Sequence, residues 1–240
     1  MTGRLSKEAS AVVAPCLGVY GWQVQNRGLQ MTPAQYIEAA RVPRHLKPWR
    51  DGNRNFRFVK ARELSLKLGC TEFAVLSEAN MAGLHMVDEY GYGGHVIMDD
   101  TPHELKKHLP IFVHGHGHIL KTGLGLGCVV RGLLTKPDVQ HVTVIEIDPR
   151  IIKHVGPEFA GNPRVTIVQG DALEVPIKPE YHMWDFAWHD IYTEGNEGLQ
   201  LLHAQLFMKY QPFARVQGAW AFPREFARRW PWPLLGAPNT

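Results

Sequence analysis

Glycines and carboxylates recur where four β-prone runs of this chain end, between residues 117 and 192. The first run is followed by the glycine-rich segment 123–127, the second contains Glu146 near its end, and Asp171 and Asp190 follow the third and fourth. Glycines let a backbone approach a ligand closely, and carboxylates accept hydrogen bonds from hydroxyl and amino groups. Together these residue types could hold a nucleoside.

Gly123, Gly125 and Gly127 form a GLGLG loop between a predicted strand and a predicted helix. A dinucleotide-binding loop would carry a third glycine in the spacing GxGxxG, but Cys128 occupies that position. The loop also lacks the lysine of a phosphate-binding GxxxxGK[ST] sequence. We therefore expect the three glycines to approach a nucleoside ligand, with a dinucleotide such as NAD as the less favoured alternative.

The three acids suggest separate roles along such a ligand. Glu146, in the sequence VIEID, could accept hydrogen bonds from both ribose hydroxyls, and Asp171, in QGDA with Ala172, could accept from an adenine amino group. Asp190 would lie at the reactive end of the ligand, with His189 beside it. Neighbouring residues of a strand face opposite sides, so only one of these two can face the ligand. We favour Asp190 as the catalytic residue, with His189 either a base or a core histidine.

Strand and helix patterns alternate through the same region, which predicts βαβ units. Parallel strands joined in this way form a Rossmann-like, doubly wound α/β sheet that binds its ligand at the carboxyl ends of the strands. The predicted strands are 118–122, 141–147, 165–169, 185–189 and 216–222, and the predicted helices are 102–108, 128–134, 151–155 and 196–210. Pro110 is expected to end the first of these helices.

Residues 1–110 are expected to form a smaller N-terminal domain or cap, and residues 111–240 the ligand-binding domain. The N-terminal part contains predicted helices at 33–40 and within 58–68, and a glycine-rich bend at 90–94. Because its pattern differs from the βαβ units, we expect it to supply the acceptor substrate's binding surface.

The span 117–192 resembles the class I S-adenosylmethionine-dependent methyltransferases, and in particular their spermidine synthase-like branch. Glu146 in a VIEID strand and Asp171 in a GDA turn carry the resemblance, together with Asp185 and Asp190 at five-residue spacing in the fourth strand. The resemblance implies a Rossmann-like fold, S-adenosylmethionine as the cofactor, and methyl transfer to a small or macromolecular acceptor.

Two features depart from the aminopropyltransferases of that branch. Their glycine loop carries an aspartate that would hold the amine of decarboxylated S-adenosylmethionine, and this chain has Leu126 there. Because an apolar residue cannot pair with an ammonium, methyl transfer is favoured over aminopropyl transfer. Only fifty residues follow Asp190, which predicts a sheet that is abbreviated at its C-terminal side or completed by a second copy in a homodimer.

The composition is that of an ordinary globular protein, with 45% hydrophobic and 20% charged residues. No apolar run reaches the roughly 20 residues of a membrane span, and the apolar stretch near residues 9–22 is too interrupted for a signal peptide. Three scattered cysteines offer neither a disulfide framework nor a CxxC pair. We therefore expect a cytoplasmic protein with no membrane contact.

A basic run at residues 41–67 contains nine lysines and arginines against two acids. Such a run could face nucleic-acid phosphates, although a solvated helix face is the more common explanation. Residues 61–80 also fit a helix-turn-helix loosely, but Glu72 and Glu78 place negative charge on its second helix. Nucleic-acid binding is therefore an alternative that we do not favour.

Three histidines alternate with glycine at His114, His116 and His118, and on an extended strand they would share one face. That arrangement could suit a metal ion, but no carboxylate or cysteine lies at ligand spacing, so we expect none. The sequence predicts an S-adenosylmethionine-dependent methyltransferase with an unidentified acceptor. Aminopropyl transfer and a non-catalytic ligand- or DNA-binding protein on the same fold are the alternatives.

Overall fold

The computed structural model describes residues 31–60, 80–86, 96–177, 183–191 and 199–220. Its elements, in chain order, are α1 (Pro33–Ala40), β1 (Trp49–Asp51), β2 (Arg54–Lys60), β3 (Asn80–Met86), β4 (Val96–Asp99), α2 (Pro102–Lys106), α3 (Leu109–His114), β5 (Gly117–Thr122), α4 (Cys128–Leu134), β6 (Val139–Glu146), α5 (Pro149–Val155), β7 (Val165–Gln169), β8 (Phe186–His189), α6 (Leu199–Tyr210) and β9 (Gln217–Ala219). None of the helices in these ranges is long and apolar enough to cross a bilayer.

Five strands form a parallel sheet in the order β7-β6-β5-β8-β9. The chain winds outward from β5 in one direction and then returns to add β8 on its other side, which confirms the predicted doubly wound α/β fold. Thr122 pairs with both Ile145 and His189, and Glu146 pairs with Gln169. The carboxyl ends of four neighbouring strands therefore lie level with one another, where such a sheet binds its ligand.

The two faces of the parallel sheet are covered by different helices because successive strand residues face opposite sides. Apolar residues of the first face pack against α2, α3 and α4, and those of the second face pack against α6. The first cluster includes Ile119, Phe186, Trp188, Leu105, Phe112 and Val129, and the second includes Leu120, Ala187, Leu206 and Tyr210. Lys121 and Asp190 lie on the first side, and His189 lies on the second.

The other four strands form an antiparallel sheet in the order β1-β2-β3-β4. Its first hairpin docks on α5 through polar contacts, in which Arg54 donates to Asp148 at 2.9 Å and Lys153 pairs with Asp51 at 2.7 Å. Trp49 stacks on the ring of His154 with 4.2 Å between centroids. The hairpin therefore lies beside the carboxyl end of β6. The division of the chain at residue 110 stays a prediction.

One predicted helix differs from the structure, and another stays a prediction. Residues 58–60 belong to β2, which pairs with β3, and the rest of the range 58–68 within which a helix is expected lies outside the described residues, as does the bend at 90–94. Pro110 does not end a helix. It lies in the first turn of α3, where its missing N–H would have no helical partner.

Gly132 marks the closest packing between α4 and α3. A Cβ at Gly132 would lie 2.6 Å from the ring of Phe112, whereas one at Gly156 would meet only atoms at 3.6 Å. We expect Gly132→Ala to lower the free energy of unfolding by about 1–3 kcal/mol, because overpacking forces the ring or the helix to shift. Gly156→Ala, the matched control, should change it by less than about 1 kcal/mol. Urea denaturation followed by circular dichroism measures both, and equal effects would contradict this packing.

Candidate functional site

The glycine loop at 123–127 connects β5 to α4 with positive φ angles of 83°, 56° and 74° at its three glycines. A Cβ on Gly123 would strike the carbonyl oxygen of Asp190, and one on Gly125 would lie 2.6 Å from Sδ of Met98. The packing of the protein therefore requires glycine at both positions. This reason adds to the expected approach of a ligand and was not visible in the sequence.

The backbone N–H and the carbonyl of Leu126, in the glycine loop, are both hydrogen-bonded to side chains. Its N–H donates to Sδ of Met98 at 3.3 Å, and its carbonyl accepts from Nη2 of Arg131 at 3.1 Å. Arg131 is itself fixed by Glu158, with N–O distances of 2.6 and 2.7 Å, and by the carbonyl of Ala40. These contacts fix the conformation of the loop.

Glu146 ends β6 and is 5% exposed. Its Oε2 accepts a hydrogen bond from the backbone N–H of Leu124 at 2.6 Å, and its Oε1 accepts from that of Asp148 at 2.8 Å. A carboxylate has about four lone-pair sites, so each oxygen retains the capacity to accept another hydrogen bond. That capacity matches the two hydroxyls of a ribose, and the ribose role of Glu146 stays a prediction.

Asp171 lies in the turn after β7, next to the end of β6. Its Oδ1 accepts from the N–H of Leu173 at 2.8 Å, and no described residue donates to its Oδ2. The last residues of α6 hold this turn in place. Tyr210 donates a hydrogen bond to the carbonyl of Ala172, and Lys209 donates one to the carbonyl of Leu173. Ala172 is buried in the core beneath the turn. Within the part of the chain that the structure describes, one carboxylate oxygen of Asp171 is therefore available to a ligand.

Ile147, between Glu146 and Asp148, was missed by the sequence reasoning. Its side chain is 59% exposed, although large apolar residues are usually buried. An exposed apolar surface beside two carboxylates suits a planar base, since ligand pockets combine apolar walls with a few polar groups. The signal in the sequence is an apolar residue directly after the acid that ends a strand.

Asp190 forms a buried ion pair that the sequence did not indicate. Its Oδ2 lies 2.9 Å from Nζ of Lys121, which also donates to the carbonyl of Gly123. The side chain of Lys121 is 1% exposed and that of Asp190 is 19% exposed. Burial would raise the pKa of Asp190, but the charge of Lys121 outweighs it, so the pKa lies below its usual value. Asp190 is therefore an ionised and weakly basic carboxylate.

His108, between α2 and α3, is the third member of this group with Lys121 and Asp190. The indole N–H of Trp188 donates to its Nδ1 at 3.2 Å, so the neutral ring carries its proton on Nε2, which lies 4.0 Å from Oδ2 of Asp190. Burial lowers the pKa of His108 and favours this neutral form. Sequence reasoning missed both His108 and Lys121, although a lysine inside the apolar strand β5 was a visible signal.

His189 points away from this group, to the opposite face of the sheet. It is fully buried, with Nδ1 3.3 Å from Oγ1 of Thr122 and Nε2 3.0 Å from Oε1 of Gln217. Its ring packs against Phe207 and Tyr210, with centroid distances of 5.3 and 5.5 Å. These contacts support a core role, and they give no support to His189 as a catalytic base.

The remaining candidate residues, Asp185 and the histidines at 114, 116 and 118, lie away from the carboxyl ends of the strands. Asp185 accepts from the N–H of His118 at 2.9 Å, at the amino end of β5. The three histidines do not share one strand, because His114 ends α3 and His116 precedes β5. In the part of the chain that the structure describes, no three histidines, cysteines or acids are grouped to hold a metal.

Several cations of the basic run 41–67 are paired with buried acids. Arg44 lies 2.8 Å from Asp100, which is fully buried, and Arg54 lies 2.9 Å from Asp148. These ion pairs help to hold the antiparallel sheet in place. Residues 61–79, which include most of the proposed helix-turn-helix, lie outside the described residues, and nucleic-acid binding stays a prediction.

Comparisons with known proteins find similarities over part of the chain. No family model matches the chain. It is 33% identical over 107 residues to a polyamine aminopropyltransferase of Bacillus cereus, a match that covers 38% of this chain and 39% of that protein. It is also 36% identical over 62 residues to ribosomal RNA small subunit methyltransferase A of Parasynechococcus marenigrum, covering 26% of this chain and 20% of that protein.

A solved structure of a dimethyladenosine transferase from Plasmodium falciparum aligns with 54% of this chain and 44% of its own, at 21% identity and a TM-score of 0.38. The chain spans about two fifths of the length of the aminopropyltransferases that it matches. It has the fold of class I S-adenosylmethionine-dependent methyltransferases and is distantly homologous to the polyamine aminopropyltransferases.

The burial of His189 has a measurable effect on stability. Burial lowers its pKa to about 3, whereas an unfolded histidine has a pKa of about 6.5. The unfolded state therefore binds the proton more tightly, and this contribution to stability is lost as the pH falls from about 6.5 toward 3. His189→Gln should reduce the slope of unfolding free energy against pH by about 1.4 kcal/mol per unit near pH 5. Urea denaturation across this range measures the slope, and an unchanged slope would contradict the burial.

Proposed function

We propose that this chain is an S-adenosylmethionine-dependent methyltransferase. The observation that supports it most is that Glu146, Asp171 and Asp190 lie at the same edge of the parallel sheet as the glycine loop. Asp171 follows β7 and Asp190 follows β8, so three strand spacings, about 14 Å, separate them. Glu146 ends β6, between the two. This order suits a nucleoside that carries an extended amino-acid chain.

In this proposal each group of residues holds one part of the cofactor. Glu146 accepts from the ribose hydroxyls, Asp171 accepts from the adenine amino group, and Ile147 supplies an apolar contact for the base. The backbone at Gly123 and Gly125 approaches the amino-acid part of the ligand. When bound, S-adenosylmethionine would supply an electrophilic methyl group on its sulfonium.

Asp190 has the position and charge to orient the acceptor. Its Oδ2 is bound to Lys121, whereas no described residue donates to its Oδ1. Its pKa lies below the usual value, so Asp190 is suited to accepting a hydrogen bond rather than removing a proton. Methyl transfer is an in-line displacement that depends chiefly on placing the nucleophile correctly. We assign this placement to Asp190.

Aminopropyl transfer is the second candidate, and the distant homology to polyamine aminopropyltransferases favours it. Leu126 counts against it. Its side chain is 3% exposed and belongs to the core, so this position of the loop offers no carboxylate to the amine of decarboxylated S-adenosylmethionine. We therefore favour the methyl donor over the aminopropyl donor.

Calorimetric titration distinguishes these donors. We expect S-adenosylmethionine and S-adenosylhomocysteine to bind at least about tenfold more tightly than decarboxylated S-adenosylmethionine, a difference of about 1.4 kcal/mol, because the loop lacks an acid for the isolated amine. NAD should show no saturable binding. Tighter binding of the decarboxylated form would favour aminopropyl transfer, and binding of NAD alone would overturn the proposal.

Glu146→Ala tests the assignment of the ribose site. It removes two charge-assisted hydrogen bonds to the ligand, so the affinity for S-adenosylhomocysteine should fall about a hundredfold or more. Glu174→Ala, at an exposed position in the turn after Asp171, is the matched control and should leave the affinity unchanged. The same calorimetric titration measures both variants, after a thermal melt has shown that each is folded. Equal affinities in the two variants would place the ribose elsewhere.

A further inference from the structure

Lys121 is a buried cation directly beneath the proposed reactive end of the ligand. It lies in β5, its side chain is 1% exposed, and its Nζ donates to Oδ2 of Asp190 at 2.9 Å and to the carbonyl of Gly123. The strand residues on either side, Leu120 and Thr122, are fully buried on the opposite face. The ammonium therefore has a fixed position against one oxygen of the carboxylate.

Stability alone does not account for this pair. Taking an ammonium and a carboxylate out of water costs about as much as their attraction returns, and apolar residues of similar size are often as stable. Lys121 lies in β5 and Asp190 directly follows β8, and the neighbouring side chains of these strands on the same face, Ile119, Phe186 and Trp188, are hydrophobic. The pair is therefore better explained by what it does to the charge of the site.

The other described residues near Asp190 add no net charge. His108 is neutral and turns its Nε2–H toward the carboxylate, and Glu104 is paired with Lys107 at 2.7 Å. Lys121 neutralises Asp190 itself. An ammonium that approached Oδ1 of Asp190 would lie only a few ångströms from the ammonium of Lys121, so their repulsion would offset much of the attraction to the carboxylate.

We propose that the acceptor group bound at Asp190 is uncharged, a hydroxyl or a neutral N–H, and that Lys121 excludes acceptors that carry an ammonium. Such a group can donate a hydrogen bond to Oδ1 without a neighbouring cation to repel it. The inference rests on the proposed function only in calling the bound group an acceptor, because the ion pair between Lys121 and Asp190 belongs to the chain itself. Lys121 acts through Asp190 and is a specificity residue.

The test uses 1,4-diaminobutane as a cationic probe with the full chain. Lys121→Gln keeps a donor toward Asp190 but removes the charge, and Lys106→Gln, on α2, removes the same charge where no described acid pairs with it. We expect no saturable diamine binding to the wild type or to Lys106→Gln, and binding at least about tenfold tighter to Lys121→Gln. Adding Asp190→Asn to Lys121→Gln should abolish the gain.

Each outcome of this titration decides the proposal. A folded Lys121→Gln variant with no gain, or a gain that persists with Asp190→Asn, would overturn it. If Lys121→Gln does not fold, the wild type decides: saturable diamine binding that Asp190→Asn removes would overturn the proposal, and its absence would support it. The titrations are run with and without S-adenosylhomocysteine. Failure of the nucleoside to bind counts against the proposed function, whereas the diamine result without it concerns Lys121 alone.

Discussion

The buried carboxylate of Glu146 is the contact on which the ligand edge of the sheet depends. Its two oxygens bind the backbone N–H groups of Leu124 and Asp148, and they thereby join the loop after β5 to the turn after β6. Removing the carboxylate would leave two buried donors without partners, each at a cost of about 1–3 kcal/mol. The residue that would hold the ribose therefore also builds the loop that the ligand approaches, and its structural and binding roles are inseparable.

A second set of buried acids places the antiparallel sheet over this edge. Asp100 binds Arg44 and the N–H of Val42, and Asp148 binds Arg54 from the first hairpin. Met98, in the last strand of that sheet, contacts the glycine loop directly. The N-terminal strands therefore form one wall of the proposed site. Arg44 and Arg54 of the basic run serve this docking, which explains part of its charge without a nucleic acid.

Local patterns in the sequence were sufficient to predict the parallel sheet. The strand Val165–Gln169 and the helix Cys128–Leu134 have the predicted bounds, because β-branched runs and glycine boundaries are local signals. The strand Arg54–Lys60 was not predicted, because it depends on pairing with β3, which lies at least twenty residues away in the chain. Contacts of that kind override local propensity.

The acids of the site could be predicted, but their partners could not. The ends of the strands placed Glu146, Asp171 and Asp190 at one edge, since parallel strands share that edge. The pairing of Asp190 with Lys121 depends on β5 and β8 being neighbours in the sheet. The two residues themselves lie 69 positions apart in the chain. The same limitation applies to His189, whose partner Gln217 lies in β9. Sequence thus indicated the proposed binding groups, while the charge balance that would select the acceptor required the fold.

The most direct test of this account is a crystal structure of the protein with S-adenosylhomocysteine. We predict that both ribose hydroxyls lie within about 2.7–3.2 Å of the carboxylate oxygens of Glu146, that the base lies between Ile147 and Asp171, and that the thioether points toward Asp190. A nucleoside bound away from the carboxyl ends of β5 and β6, or one that leaves Glu146 without a ligand contact, would contradict it.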